Sequence, residues 1–176
     1  RNKKVFITGH TGFKGSWLSI ILTYLDSTVD GYSLKPKKNS LFNKSTILHK
    51  LKSNTYADIN NLIKLKKRIK ACKTEIIFHL AAQPLVINSY KEPLKTLNTN
   101  IIGTANLLES IRNIKTIKSV VIITTDKVYK IKKHNKLYKE LDQLGGFDPY
   151  SASKVGAEIV VESYIKSFFQ NSNLKK

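Results

Sequence analysis

Lys3-Lys4-Val5-Phe6-Ile7-Thr8-Gly9-His10-Thr11-Gly12-Phe13-Lys14-Gly15-Ser16-Trp17-Leu18 is the stretch on which the fold turns. Val5-Phe6-Ile7 is a β-forming apolar run, so residues 3–8 read as a strand. Three glycines follow, and then Phe13, Trp17, Leu18, Ile21, Leu22 and Leu25 recur at helical spacing, which predicts a helix over 13–26 with those six on one apolar stripe. In such a strand–turn–helix one glycine permits the tight turn, one lets the backbone approach a pyrophosphate, and one lets helix and strand pack closely. The helix N-terminus then offers free amide N–H groups and a positive dipole end to the phosphates. Gly9, Gly12 and Gly15 are spaced more widely than in the commonest dinucleotide fingerprint, but their place directly after the first strand marks a dinucleotide site.

The same alternation continues outward. Val29 leads into Gly31-Tyr32-Ser33, a second strand over 28–33. Residues 34–52, with Pro36, Asn39 and Ser40 and little period, read as an irregular connection. A short strand at Thr55-Tyr56 ends at Asp58, which is expected to cap a helix running to Ala71. Residues 75–82 and 118–125 are apolar throughout, as strands buried on both faces are, while 94–113 and 148–169 read as helices. Apolar strands separated by amphipathic helices indicate an α/β fold with a doubly wound parallel sheet, whose ligands sit at the carboxyl ends of the strands.

Of 176 residues, 31 are Lys or Arg and 12 are Asp or Glu, a formal charge of +19. The lysines are scattered. The dense runs, Lys64-Leu65-Lys66-Lys67-Arg68 and Lys130-Ile131-Lys132-Lys133-His134, lack interleaved aromatics, so solvated lysine is preferred to a nucleic-acid partner. No apolar run is long enough for a membrane-spanning helix. With strand residues at the very start, no signal peptide is expected, and a single cysteine, Cys72, suits a reducing cytoplasmic setting. The sequence contains no Met and stops soon after its last helix, so it is expected to be an N-terminal fragment of a longer enzyme, residues 1–176 forming the dinucleotide-binding domain.

Two further groups carry chemistry. Tyr150 and Lys154, in Tyr150-Ser151-Ala152-Ser153-Lys154, lie four apart and so share one helix face. A phenol is a poor base at neutral pH, and an adjacent ammonium favours its ionised form. Thr124-Thr125-Asp126-Lys127 gathers polar groups at the carboxyl end of a buried strand, where turn chemistry alone would also place them. His79, inside an apolar strand, reads as a satisfied core histidine, and Cys72 as a packing residue.

Together these motifs resemble the extended short-chain dehydrogenase/reductase family, and within it the nucleotide-sugar 4,6-dehydratases. His10, Lys14 and Trp17 in the glycine segment, His79-Leu80-Ala81-Ala82-Gln83-Pro84, Thr99-Asn100-Ile101-Ile102-Gly103-Thr104 and Asp126-Lys127 are similar to the branch acting on CDP-glucose. The resemblance implies NAD as cofactor, no metal, a nucleotide-sugar substrate (CDP-glucose) and a homo-oligomer when complete, in surface (lipopolysaccharide) polysaccharide synthesis. It implies that Tyr150 removes the C4 hydroxyl proton, that Lys154 supports Tyr150 and holds the nicotinamide ribose, and that Thr125 bonds the C4 oxygen. Asp126 would protonate the departing C6 hydroxyl, and Lys127 stands where related enzymes place a Glu base. Gly9, Gly12 and Gly15 would meet the pyrophosphate, Phe13 would also bind the cofactor, Asp58 and Ile59 would meet the adenine, and Ala81 and Ala82 the nicotinamide end. Asn100 matches a family Asn that orders water and backbone near the site. His10 and Lys14 either touch the adenosine ribose or phosphates or face solvent. Lys35 stands where the family often has Asp, which leaves NADP open beside NAD. A 4-epimerase, a dehydratase of another sugar and a non-catalytic dinucleotide-binding remnant remain the alternatives.

Overall fold

The structure, a computed structural model, describes residues 1–131 and 137–170. Part of the basic run at 130–134 and the tail after 170 lie outside the described residues. Five parallel strands, β1 (Lys4–Thr8), β2 (Thr28–Ser33), β3 (Ser53–Tyr56), β4 (Ile76–His79) and β5 (Ser119–Ile122), form one sheet in the order β3-β2-β1-β4-β5. The order reverses at β1, so the crevice at its carboxyl end is the topological switch point. Between and after the strands come helices α1 (Phe13–Tyr24), α2 (Leu41–Lys44), α3 (Leu62–Cys72), α4 (Val86–Lys91), α5 (Pro93–Leu97), α6 (Gly103–Ile111) and α7 (Pro149–Tyr164), together with short 3₁₀ and π-helical segments. This is the doubly wound parallel sheet expected from the sequence.

β1 shows why the core has two layers. Successive strand side chains point to opposite faces. Phe6 packs with Tyr32, Leu65, Ile69, Ile77, Leu107 and Ile111 on one face, while Val5 and Ile7 pack with Val29, Leu18 and Leu22 on the other.

The apolar stripe expected on α1 is only partly the buried one. Gly15, Ser16 and Ser19 face the sheet, and Leu18 and Leu22 flank them, whereas Phe13 is 72% and Trp17 48% exposed. Small residues bring the helix close, and both serines satisfy their hydroxyls on their own helix, Ser16 Oγ donating to Gly12 O and Ser19 Oγ to Gly15 O, each at 2.8 Å.

Other boundaries also move. The 34–52 connection contains α2, capped by Ser40, and a 3₁₀ turn over Ile47–Lys50, each anchored by one buried residue, Phe42 and Ile47. One anchor per turn leaves no period to read. α3 is capped by Asn61, whose side chain accepts from Lys64 N, and not by Asp58, which accepts from Asn60 N one turn earlier. The helix expected over 94–113 is α5, a π-helical segment Asn98–Ile102 and α6 in series, and α4 precedes it. β4 is shorter than the apolar run because Leu80 to Ala82 leave the sheet and line a cleft. β5 is not buried on both faces: it is the sheet's edge in the described chain, and Val121 is exposed.

Candidate functional site

A cleft of about 800 Å³ opens at the carboxyl ends of the central strands. The glycine turn forms its floor. Gly9 adopts φ +76°, and a Cβ there would lie 2.6 Å from Ala81 N, so both the turn and the approach of the β4 loop require glycine. Gly12 caps α1 without a side chain, and the first intrahelical bond runs from Ser16 N to Gly12 O at 2.8 Å. The amides of Phe13, Lys14 and Gly15 therefore have no intrahelical carbonyl, and all three residues line the cleft. Free amides and the positive end of the helix dipole thus face the cleft together, the donors that an anion requires.

Lys14 is exposed at the mouth of the cleft. His10 corrects the sequence reading on both counts. It neither lines the cleft nor faces solvent: it is fully buried, its Nε2 is 2.7 Å from Asn54 Oδ1, and its ring meets Phe42 edge-on. The space for the imidazole exists because Gly31, opposite it in β2, has no side chain. Burial holds His10 below the usual histidine range, the Asn54 and Tyr32 bonds opposing.

Asp58 and Ile59 line the far end. Tyr32 Oη donates to Asp58 O at 3.0 Å, and burial, aided by the Asp58 charge, pushes the Tyr32 phenol up to about 12. Ala81 and Ala82 line the wall beside β4.

Tyr150 and Lys154 come from the first turns of α7, and both line the cleft. Pro149 occupies the helix start, and Asp148 caps it, accepting from Tyr150 N and Ser151 N at 3.0 Å each and from Ser151 Oγ at 2.6 Å. Lys154 is 7% exposed and donates to Ile123 O at 3.0 Å. Burial pulls its ammonium down to about 8, with Glu158 opposing and Lys14 assisting.

Thr125, Asp126 and Lys127 are not among the residues lining the cleft, which reaches Ile123 and Thr124 on that side. Thr125 begins a 3₁₀ turn, its hydroxyl donating to Asp126 Oδ1 at 3.1 Å, and Asp126 and Lys127 are exposed beside the cleft. Lys35 is likewise exposed and does not line it. The sequence reading missed Ser33, Asn98 and Thr99 on the lining. Their signal was positional: the carboxyl end of β2 and the π-helical segment, a feature that concentrates at functional sites.

Behind the cleft His79 is satisfied on both ring nitrogens, Nδ1 at 2.7 Å from Thr8 Oγ1 and Nε2 at 3.2 Å from Thr104 Oγ1. Asn100 Nδ2 donates to Ser153 Oγ at 2.7 Å, and Asn100 Oδ1 accepts from Gln83 N at 2.8 Å. Cys72 is buried, and burial foremost pushes its thiol up to about 11, so it is a packing thiol. Among the described residues there is no cluster of metal ligands and no helix long and apolar enough to cross a membrane.

Fold and cleft together define a Rossmann-type α/β domain. The family model described as GDP-mannose 4,6 dehydratase matches residues 6–171, and the chain belongs to that family. It is 45% identical, over its whole length and 49% of the relative's, to CDP-glucose 4,6-dehydratase of Salmonella typhimurium. It is 35% identical, over 94% of its length and 41% of the relative's, to dTDP-D-glucose 4,6-dehydratase of Dictyostelium discoideum. Among solved structures it resembles Pal from Bacillus thuringiensis, with a TM-score of 0.83 and 27% identity over 94% of this chain and 52% of that one. The fold is also that of UDP-glucose 4-epimerase from Brucella ovis in complex with NAD, with a TM-score of 0.81 and 20% identity over 96% and 49% of the two chains. The chain spans about half the length of the curated relatives it matches. The dehydratase resemblance read from the motifs agrees with these matches.

Proposed function

We propose that residues 1–176 form the dinucleotide-binding part of an NAD-dependent 4,6-dehydratase that converts CDP-glucose to CDP-4-keto-6-deoxyglucose. The observation that carries the reading is that Tyr150 and Lys154, one helical turn apart, line the same cleft as the Gly9–Gly15 turn. The residues present fit a dinucleotide: three unpartnered amides at the α1 N-terminus suit the pyrophosphate, Asp58 and Ile59 the adenine end, and Ala81 and Ala82 the nicotinamide end. The dinucleotide, when bound, supplies the hydride acceptor and donor. The 45% identity to a CDP-glucose enzyme supports the nucleotide.

The chain's own residues do the rest. Tyr150 takes the C4 hydroxyl proton, and Lys154, anchored on Ile123 O, holds a positive charge beside it and meets the ribose. Thr125 offers a hydroxyl to the C4 oxygen, Asp126 gives a proton to the departing C6 hydroxyl, and Lys127 serves at C5. These three directly follow Thr124, which lines the cleft, and do not line it themselves. The cytoplasmic setting and the homo-oligomeric complete enzyme belong to the same reading, and a buried, unpaired Cys72 suits the former.

The test uses the complete protein with CDP-glucose, dTDP-glucose, UDP-glucose and GDP-mannose, detecting 4-keto product. Turnover of CDP-glucose is expected, with a loss of roughly 10²–10⁴-fold in Tyr150→Phe, the usual worth of a positioned proton-transfer group. No 4-keto product from CDP-glucose, or a Tyr150→Phe variant that retains most activity, would sink the proposal.

A further inference from the structure

We propose that Ser33 recognises the adenosine ribose, accepting a hydrogen bond from its 2′-hydroxyl and so doing the work of the carboxylate that the family often has two residues further on, where this chain has Lys35. The inference rests on the dinucleotide reading above.

In doubly wound folds the residue at the end of the second strand reads the ribose, and an acidic side chain there accepts from the 2′-hydroxyl and rejects a 2′-phosphate. β2 ends at Ser33, which is 9% exposed and lines the cleft. Among the described residues the one carboxylate on the lining is Asp58, which follows β3 and accepts from Asn60 N at 2.9 Å. Lys35, whose charge would invite a phosphate, is exposed and off the lining.

Proton counting then decides what Ser33 offers. Thr11 Oγ1 lies 3.0 Å from Leu34 O and 2.8 Å from Ser33 Oγ. A carbonyl only accepts, so the single Thr11 hydroxyl proton goes to Leu34 O, and the Ser33 contact must be Ser33 donating to Thr11. Ser33 has then spent its proton and presents lone pairs alone. A hydroxyl can donate to them. A phosphate oxygen cannot, and to receive a proton from Ser33 it would have to break the Ser33–Thr11 bond and leave two oxygens facing each other at 2.8 Å. The relay ties this selectivity to the glycine turn, since Thr11 stands between Gly9 and Gly12.

The test is equilibrium binding to the complete protein by calorimetry, with ADP-ribose and 2′-phospho-ADP-ribose as probes and no turnover required. ADP-ribose is expected to bind at least tenfold tighter. Ser33→Ala should weaken ADP-ribose about tenfold, the usual worth of one such bond, and leave the phosphorylated probe nearly unchanged. Thr11→Val should free the Ser33 proton and narrow the preference by tightening the phosphorylated probe. Lys35→Ala should leave the ratio where it is. Equal or tighter binding of the phosphorylated probe by the unaltered protein would overturn the inference without touching the dinucleotide reading. A ratio that moves with Lys35→Ala but not with Ser33→Ala would do the same. Failure of both probes to bind would overturn the dinucleotide reading and this inference with it.

Discussion

Acid should unfold this protein through His79. The imidazole is 3% exposed, and burial first, the Lys154 ammonium second, pull it from 6.5 down to about 3. The hydrogen bonds agree. Thr104 Oγ1 gives its proton to Asn100 O at 2.6 Å, so it accepts from His79 Nε2–H, and His79 Nδ1 accepts from the Thr8 hydroxyl. A second ring proton would turn Nδ1 into a donor and strand the Thr8 proton in a buried site, because Thr8 Oγ1 already accepts from Ala81 N at 3.2 Å. The folded value lies below the unfolded one, so this contribution is complete above pH 6.5 and is lost as pH falls toward 3. Between pH 7 and pH 5 the unfolded histidine gains its proton and the folded one does not. At 1.36 kcal/mol per unit, this costs about 2 kcal/mol. The carboxylates whose ranges are lowered, Glu75, Asp148 and Glu162, all stay ionised over that window, which leaves the buried histidines as the cause. His10 adds a smaller slope of the same sign, so the measurement needs a control that removes His79 alone. Urea unfolding followed by circular dichroism at pH 7, 6 and 5, on the native protein and on His79→Gln, supplies it. With m about 2 kcal/mol/M, the native midpoint should fall by about 1 M more than the variant's. Parallel pH profiles for the two proteins would refute the reasoning.

Gly9→Ala should lose more than about 2 kcal/mol and all dinucleotide binding, since φ +76° and a backbone contact at 2.6 Å both oppose a side chain; denaturation and calorimetry measure the two losses. Asp148→Ala removes the α7 cap and should cost about 1 kcal/mol at pH 7. Ser151 and Tyr150 hold the Asp148 carboxyl below 3.8 although burial opposes them, so the cap's contribution is present above that value and disappears as pH falls through the lower folded one, where native and Asp148→Ala stabilities should converge. Leu107→Ala, at a position with 0% exposure between α6 and the sheet, should cost about 2–5 kcal/mol in the same urea assay. Lys154, drawn by burial to about 8, should give the complete enzyme a kcat/KM that declines above that pH, and a flat profile to pH 9.5 would remove Lys154 from the chemistry.

The fold was legible because its deciding features are local. A strand, three glycines and a helix state the first βα unit, and apolar runs in β4 and β5 state a parallel sheet. What misled was the assumption that the larger apolar residues of α1 must face the core. Close approach to the sheet selects Gly15, Ser16 and Ser19 instead, and hydroxyls bonded to their own helix are as good as apolar there. His10 escaped for a related reason: a side chain in a glycine turn ordinarily faces out, and its inward position depends on a partner in another strand. The signal was Gly31, since a glycine inside a strand marks a close approach by something else. Tyr150 and Lys154 were legible because helical spacing alone puts them on one face. The relation of Thr125, Asp126 and Lys127 to the cleft was not, because it depends on where a turn carries them after β5 ends.

The parts of the site that were legible are joined by groups that were not. From the cleft wall, Ala81 N donates to Thr8 Oγ1, Thr8 to His79, His79 to Thr104, and Thr104 to the carbonyl of Asn100. Asn100 Nδ2 donates onward to Ser153 Oγ, which donates to Tyr150 O at 2.6 Å. Each hydroxyl in the sequence gives one proton and receives one, so the series has a single consistent direction and no member can be replaced by a group with only one capacity. It runs from the wall beside the glycine turn through β1, β4 and the π-helical segment to the first turn of α7. Asn100 lies in that segment, its side chain reaching Gln83 and Ser153 while its carbonyl receives Thr104. Protonation of His79 therefore reverses one link in the series that connects the cleft wall to Tyr150. As pH falls toward 3, where the folded His79 takes its proton, the position of Tyr150 relative to the glycine turn should loosen before the sheet itself unfolds. Amide exchange at Tyr150 and Ser151 that rises with acid no earlier than that of β1 would show that the series carries no such coupling.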